Sequence, residues 1–164
     1  MTDNELARLS SEVGQRLLQR QASVTTAESC TGGWIAKVLT DIAGSSQWFE
    51  RGFVTYSNEA KQDMLGVTAT SLERFGAVSE QVVREMAEGA RKVAGATFAL
   101  SVSGIAGPGG GSAEKPPGTV WFGFAAESRQ TLAQCKIFSG DREAVRRRAT
   151  AWALLTLRDH FLKN

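Results

Sequence analysis

The sequence holds one histidine, His160, four residues from the end of its 164, and this scarcity excludes more than any other. Imidazole is the commonest proton acceptor in hydrolytic sites. One that sits near a chain end on a terminal helix is badly placed for that work, so hydrolysis by this chain has to find another base. Cysteine is nearly as scarce: Cys30 and Cys135 are the only two, with no Cys/His spacing that would hold zinc and no need for a bridge in a chain this size. Free thiols fit a reducing cytoplasm. Long apolar runs are missing as well, since none approaches the ~18 residues of a membrane span. The opening Met1-Thr2-Asp3-Asn4-Glu5 is acidic where a signal peptide is basic and then apolar. Nor is there an excess of charge of one sign. Nineteen Lys and Arg face seventeen Asp and Glu, a formal net charge of +2, and they are spread along the chain. This argues against nucleic acid or a membrane surface as partner.

What is present suits a compact cytoplasmic domain. With 42% hydrophobic and 22% charged residues, residues 1–164 are expected to form a single domain around one core. Thr2 and Glu5 make a capping box, and Leu6, Leu9, Val13 and Leu17 recur at helical spacing, predicting a helix over about 3–21. Ser23–Ala27 reads as a short strand, followed by Glu28-Ser29-Cys30-Thr31-Gly32-Gly33 and a helix from Trp34 to Ile42. A second strand is expected over Phe49–Ser57, then a helix capped by Ser57 or Asn58 and ending near Gly66, with Lys61 in or near its first turn. A short helix over 69–75 stops at Gly76, and Ser79 caps a longer one to about Ala94. Thr97–Ser103 and Thr119–Ala126 are nearly continuous apolar runs, as strands covered on both faces show. A last strand over about 131–138 pairs with its predecessor as a hairpin, and Asp141 opens a final helix to about Leu162. Interleaved helices and strands predict an α/β fold: three layers, α/β/α, with a mixed sheet of about five strands, mostly parallel with one antiparallel hairpin.

In such sheets ligands bind beyond the carboxyl ends of the strands, which singles out three segments. In Glu28–Gly33, small residues let backbone N–H groups approach a ligand, and the following helix N-terminus favours an anion or a developing oxyanion. Tyr56-Ser57-Asn58-Glu59-Ala60-Lys61 brings a phenol, a hydroxyl, an amide and an amine within about one turn. The third segment, Ser101–Gly111, leads into a Gly/Pro-rich run reaching Gly118. It is not a Walker A loop, because Lys115 is followed by Pro116-Pro117, nor a dinucleotide fingerprint, because it leads into a strand. It reads either as a glycine-permitted nest or flap, or as a plain connector.

A serine at a strand-to-helix turn is more often an N-cap than a nucleophile, and Ser29 as nucleophile requires a base. The available ones are Lys61 and a carboxylate such as Glu28. A lysine works as a base only when burial and its surroundings depress its pKa, and a place near the positive end of a helix pushes the same way. Tyr56, at a strand end, would relay or orient the proton. Cys30 is a rival nucleophile without an imidazole to activate it, and otherwise a small buried apolar side chain. Arg146-Arg147-Arg148 fan around the last helix; they cannot all meet one ligand, but one of them can hold a phosphate.

Taken in order, Thr26–Gly33, Gly52–Lys61, Gly76–Glu80, Ser103–Gly110 and Lys115–Val120 resemble the successive motifs of the CinA C-terminal domain family across essentially the whole chain. The resemblance implies hydrolysis of the carboxamide of nicotinamide mononucleotide to nicotinate mononucleotide and ammonia, in pyridine nucleotide recycling. It implies a Ser–Lys amidase with Ser29 as nucleophile, Lys61 as base and Tyr56 assisting, and a homodimer by family habit. Cys30, Thr31, Gly32, Gly33, Ser103, Gly104, Gly107 and Arg146 are the expected substrate-binding residues, with no metal or cofactor. Which of them take the phosphate and which form the oxyanion hole stays open. A non-catalytic nucleotide-sensing domain and an amidase for another small amide are the competing readings.

Overall fold

The computed structural model describes residues 1–163. Its elements are α1 (Asp3–Gln19), β1 (Val24–Glu28), α2 (Trp34–Thr40), a 3-10 turn at Ser45–Gln47, β2 (Phe53–Val54), α3 (Asn58–Leu65), α4 (Ala69–Phe75), α5 (Glu80–Ala94), β3 (Phe98–Gly104), β4 (Thr119–Ala126), β5 (Leu132–Ile137) and α6 (Arg142–Thr156). A widened π turn over Leu157–Phe161 follows. The capping predictions follow local chemistry: Thr2 and Glu5 close a reciprocal box, and Ser57, Ser79 and Asp141 each accept an N–H from the first turn of their helix.

The sheet runs β2-β1-β3-β4-β5. The pairs β2/β1 and β1/β3 are parallel, while β3/β4 and β4/β5 are antiparallel. This departs from the expected single hairpin. A parallel return needs a crossover element, and the segment between β3 and β4 contains none, so β4 comes back beside β3 in the opposite sense. The predicted second strand, Phe49–Ser57, shrinks to Phe53–Val54: Phe49 packs in the core beside Trp48, and Glu50, Arg51 and Gly52 are exposed. The last helix is α-helical only to Thr156; its π turn carries Phe161 onto Phe124, with ring centroids 5.6 Å apart.

Alternation along β3 divides the core. Phe98, Leu100 and Val102 face one layer with α1, α2 and α6, while Ala99 faces the other with α3, α4 and α5. The fold is therefore the three-layer α/β/α arrangement, and no described helix is long and apolar enough to cross a membrane. On the α5 side the small residues allow close approach: the Ser101 hydroxyl donates to Val83 O at 2.6 Å. Helix α5 also touches α3 at Gly89, where a β-carbon would lie 1.9 Å from the Leu65 carbonyl oxygen. Backbone cannot give way as a flexible side chain can. Gly89→Ala is expected to destabilise the protein by about 2–3 kcal/mol through overpacking, read as a lowered denaturation midpoint without loss of the native circular dichroism spectrum.

Candidate active site

Three tethers, two of backbone and one of a side chain, bring the chemistry together beyond the carboxyl ends of β1 and β3. The Ser29 N–H donates to Val102 O at 2.9 Å, and the Thr55 N–H donates to Glu28 O at 2.8 Å. The turn that carries Ser29 is thus held between the end of β3 and the segment leaving β2. The third tether is Lys61 itself. On α3 it follows Ser57, Asn58, Glu59 and Ala60, and a helical side chain leans toward the N-terminus of its helix. Its Nζ accordingly reaches back to Thr55 O at 2.8 Å, Tyr56 O at 3.1 Å and Ser29 Oγ at 3.0 Å.

This tripod defines what Lys61 can do. The ammonium has three protons for three acceptors. The neutral amine keeps its two N–H bonds on the carbonyls of Thr55 and Tyr56, which leaves its lone pair facing the Ser29 hydroxyl. Both protonation states therefore share one geometry, and moving a proton between Oγ and Nζ requires no rearrangement. Lys61 is 1% exposed. Burial lowers its pKa from 10.5 to about 8, against a smaller opposing effect of Cys30, so an appreciable fraction is neutral near physiological pH.

Cys30 is buried, and burial pushes its thiol up to about 12. It does not ionise in the working range and has no partner that would activate it. Glu28, the alternative base, is fully buried, with its pKa raised by desolvation against the hydrogen bonds it accepts. Those bonds come from Thr31 Oγ1 at 2.6 Å, Ile35 N at 3.0 Å and Ala36 N at 2.9 Å. The carboxylate is thereby occupied as the cap of α2. This bears on the anion expected at that helix N-terminus: Glu28 already fills the place, and the Thr31 hydroxyl is committed to it.

The cavity at the dyad has a volume of about 250 Å³ and is lined by Ser29, Cys30, Tyr56, Asn58, Lys61, Ala77, Val78, Ser103, Gly104, Ala106 and Arg142. Of the expected substrate-binding residues, Cys30, Ser103 and Gly104 stand at its wall. Gly107 contributes its carbonyl, which accepts from Arg142 Nη1 at 3.0 Å. The Tyr56 phenol is exposed and accepts from Arg142 Nη2 at 3.2 Å. It is the backbone carbonyl of Tyr56, not the expected phenol, that bonds to Lys61. Gly32, Gly33 and Arg146 face away from this cavity, toward an open cleft of about 790 Å³ that also includes Thr31, Trp34 and Arg142.

Arg142 is the residue that sequence reasoning missed. It lines both spaces and has no carboxylate partner among the described residues, unlike Arg147, which pairs with Asp3 and Glu143. A signal was available, because an arginine directly after the Asp141 cap opposes the helix dipole. Asn58 belongs to the polar segment already singled out, whereas Ala77 and Val78, apolar members of the Gly76–Glu80 motif, reach the cavity through packing.

The family model for the CinA C-terminal domain matches residues 6–161. A protein of Escherichia coli strain K12 named nicotinamide-nucleotide amidohydrolase PncC is 65% identical over 100% of this chain and 99% of its own length. A protein of Symbiobacterium thermophilum named putative competence-damage inducible protein is 51% identical over 92% of this chain, which corresponds to 37% of that longer protein. Among solved structures, the competence damage-inducible protein A from Klebsiella pneumoniae superposes with a TM-score of 0.92 at 41% identity, over 95% of this chain and 96% of that one. Ser29, Lys61 and the tethers that join them accordingly sit in a chain that belongs to the CinA C-terminal domain family.

Proposed function

We propose that this chain hydrolyses the carboxamide of nicotinamide mononucleotide to nicotinate mononucleotide and ammonia, residues 1–164 acting as one cytoplasmic unit in pyridine nucleotide recycling. The observation that carries this reading is the 3.0 Å contact between a buried lysine and Ser29. The 65% identical relative named for that reaction supplies the substrate.

In the reaction, neutral Lys61 accepts the Ser29 proton as Oγ bonds to the carboxamide carbon, and the carbonyl electron pair moves onto oxygen. The tetrahedral intermediate collapses, the C–N bond breaks, and the Lys61 proton leaves with the departing amine as ammonia. Water then attacks the acyl-enzyme, giving one proton to Lys61; the C–Oγ bond of the second tetrahedral intermediate breaks, Ser29 Oγ takes that proton back from Lys61, and the nicotinate carboxyl group releases its remaining proton to solvent. Thr55 O and Tyr56 O hold Nζ in place through every step. Asn58, Ser103 and Gly104 bound the space for the pyridine ring.

The substrate phosphate belongs with Arg142, which borders both the dyad cavity and the basic cleft and carries no counter-carboxylate. Arg142→Ala is expected to raise KM for nicotinamide mononucleotide by about 10-fold or more with a smaller change in kcat. A homodimer is part of the same reading, supported by apolar side chains left exposed, such as Ile137 at 66% on edge strand β5 and Leu18 at 50%; sedimentation equilibrium reads it. The decisive assay is ammonia release by the purified protein from nicotinamide mononucleotide, nicotinamide riboside and nicotinamide. Turnover confined to the mononucleotide is expected, and undiminished turnover of free nicotinamide overturns the substrate assignment.

A further inference from the structure

Arg146 was expected to bind substrate, but its contacts point to another role. From the first turns of α6 its Nε donates to Cys30 O at 3.0 Å and its Nη2 to Thr31 O at 3.3 Å. The guanidinium lies 5.9 Å from the centroid of the Trp34 ring and, like Arg142, has no carboxylate partner among the described residues. Gly32 adopts φ +60°, and a β-carbon there would come within 3.0 Å of Nη2. The guanidinium is packed directly against the turn at Gly32. Arg146 thus clasps two consecutive carbonyls directly after the nucleophile, from the side opposite the dyad cavity.

The N–H groups of the same turn complete the picture. The Ser29 N–H is spent on Val102 O, Gly32 N–H on Ser29 O and Trp34 N–H on Thr31 O. The Thr31 N–H has no backbone acceptor among the described residues, and the Cys30 N–H has none beyond its own thiol. In a trans peptide C=O and N–H point in opposite directions, so holding the Cys30 carbonyl toward Arg146 turns the Thr31 N–H away from it. A carbonyl that accepts a charged donor also polarises its peptide and strengthens the N–H as a donor. The N–H of the residue after a nucleophilic serine is a recurrent oxyanion donor.

We propose that Arg146 is a positioning residue for the oxyanion hole. It fixes and polarises the Cys30–Thr31 peptide, whose Thr31 N–H receives the oxygen of the tetrahedral intermediate beside the Cys30 N–H of the preceding peptide, and it touches no substrate atom. The proposal deepens the amidase reading and rests on its Ser29 chemistry. Arg146 acts on the transition state, so its removal lowers kcat and leaves KM in place. A phosphate ligand would behave the other way.

The test uses the intact protein, Arg146→Gln and Arg146→Lys, with thermal unfolding to establish that each is folded. Two quantities are measured: kcat and KM on nicotinamide mononucleotide, and the p-nitrophenol burst from p-nitrophenyl acetate, a phosphate-free acyl donor for Ser29. Positioning predicts that kcat and the burst rate both fall by on the order of 10²-fold in Arg146→Gln, with KM within about two-fold. Arg146→Lys keeps the charge but reaches fewer acceptors, so it recovers part of the loss; should the glutamine variant not fold, the lysine variant alone carries the comparison. A raised KM with intact kcat and an unchanged burst makes Arg146 a phosphate ligand and overturns the proposal. A wild-type protein that shows the burst but no ammonia release removes the substrate assignment, and the burst rates of the variants still decide the role of Arg146. No Ser29-dependent burst and no turnover in the wild type overturns both.

Discussion

Ser29→Ala is expected to abolish ammonia release, lowering kcat by about 10⁴-fold or more, while the protein stays folded with an unchanged unfolding midpoint. The hydroxyl is the only group in the cavity placed both to attack a carbonyl and to hand its proton directly to Nζ. Its loss removes one contact from Lys61 and leaves the two to Thr55 and Tyr56 in place, so little structure depends on it. Cys30→Ala is the informative contrast. With its thiol held near 12 by burial, the cysteine supplies no thiolate, and the variant should keep activity within about ten-fold of the parent. Loss of activity in Cys30→Ala with retention in Ser29→Ala would transfer the nucleophile to the thiol. Mass spectrometry after an ester burst reads the same point, with the acyl group expected on Ser29.

Lys61 carries the other large effect. Lys61→Met keeps the length and apolar stem but has no proton acceptor, and is expected to lose about 10³-fold or more in kcat. Lys61→Arg separates two ways a cation could serve. A guanidinium cannot become neutral in this range, so an inactive arginine variant shows that proton transfer is required, whereas substantial activity would mean that positive charge alone suffices. The pH dependence follows in sign from the lowered pKa. Below about 8 most of Lys61 is protonated and unable to accept from Ser29, so kcat/KM should climb about ten-fold per unit of pH and level off above that value. At pH 6 it should stand about 100-fold below the plateau. A flat profile, or one that falls as pH rises, would exclude Lys61 as the base. Stability is linked to the same shift: the cost of burying the ammonium is present in full below about 8 and is relieved as pH rises toward 10.5, because over that window the unfolded chain binds more protons than the folded one.

Much of the fold was legible because its signals are local. Helices α1, α3, α5 and α6 each had a side-chain cap at the start, and β3 and β4 were apolar runs. The departures occur where local pattern and long-range geometry part company. The run Phe49–Ser57 has the residues of a strand, yet only Phe53 and Val54 pair, with Phe49 in the core and Glu50–Gly52 exposed. The segment after β3 has no helical pattern, and that already forbade a parallel return to β4. Within the site, the sequence could name Lys61 and Ser29 but not the state of either.

Taken alone, the sequence determined the order of elements, the three loops at the carboxyl ends of the strands, and the need for a base other than histidine. Composition and periodicity suffice for that, because they act through neighbours three or four residues apart. Only the tertiary structure decided that Lys61 is buried against Ser29 with a lowered pKa and that Glu28 is a cap. It also decided that the phenol of Tyr56 points to Arg142 and that Arg142, not Arg146, borders the dyad cavity. Each of these depends on solvent exclusion or on a contact between residues distant in the chain: Lys61 reaches back to Ser29 across 32 positions, and Arg146 reaches Cys30 across 116. A pKa and a convergent guanidinium are properties of an environment, and the environment exists only once the layers have closed.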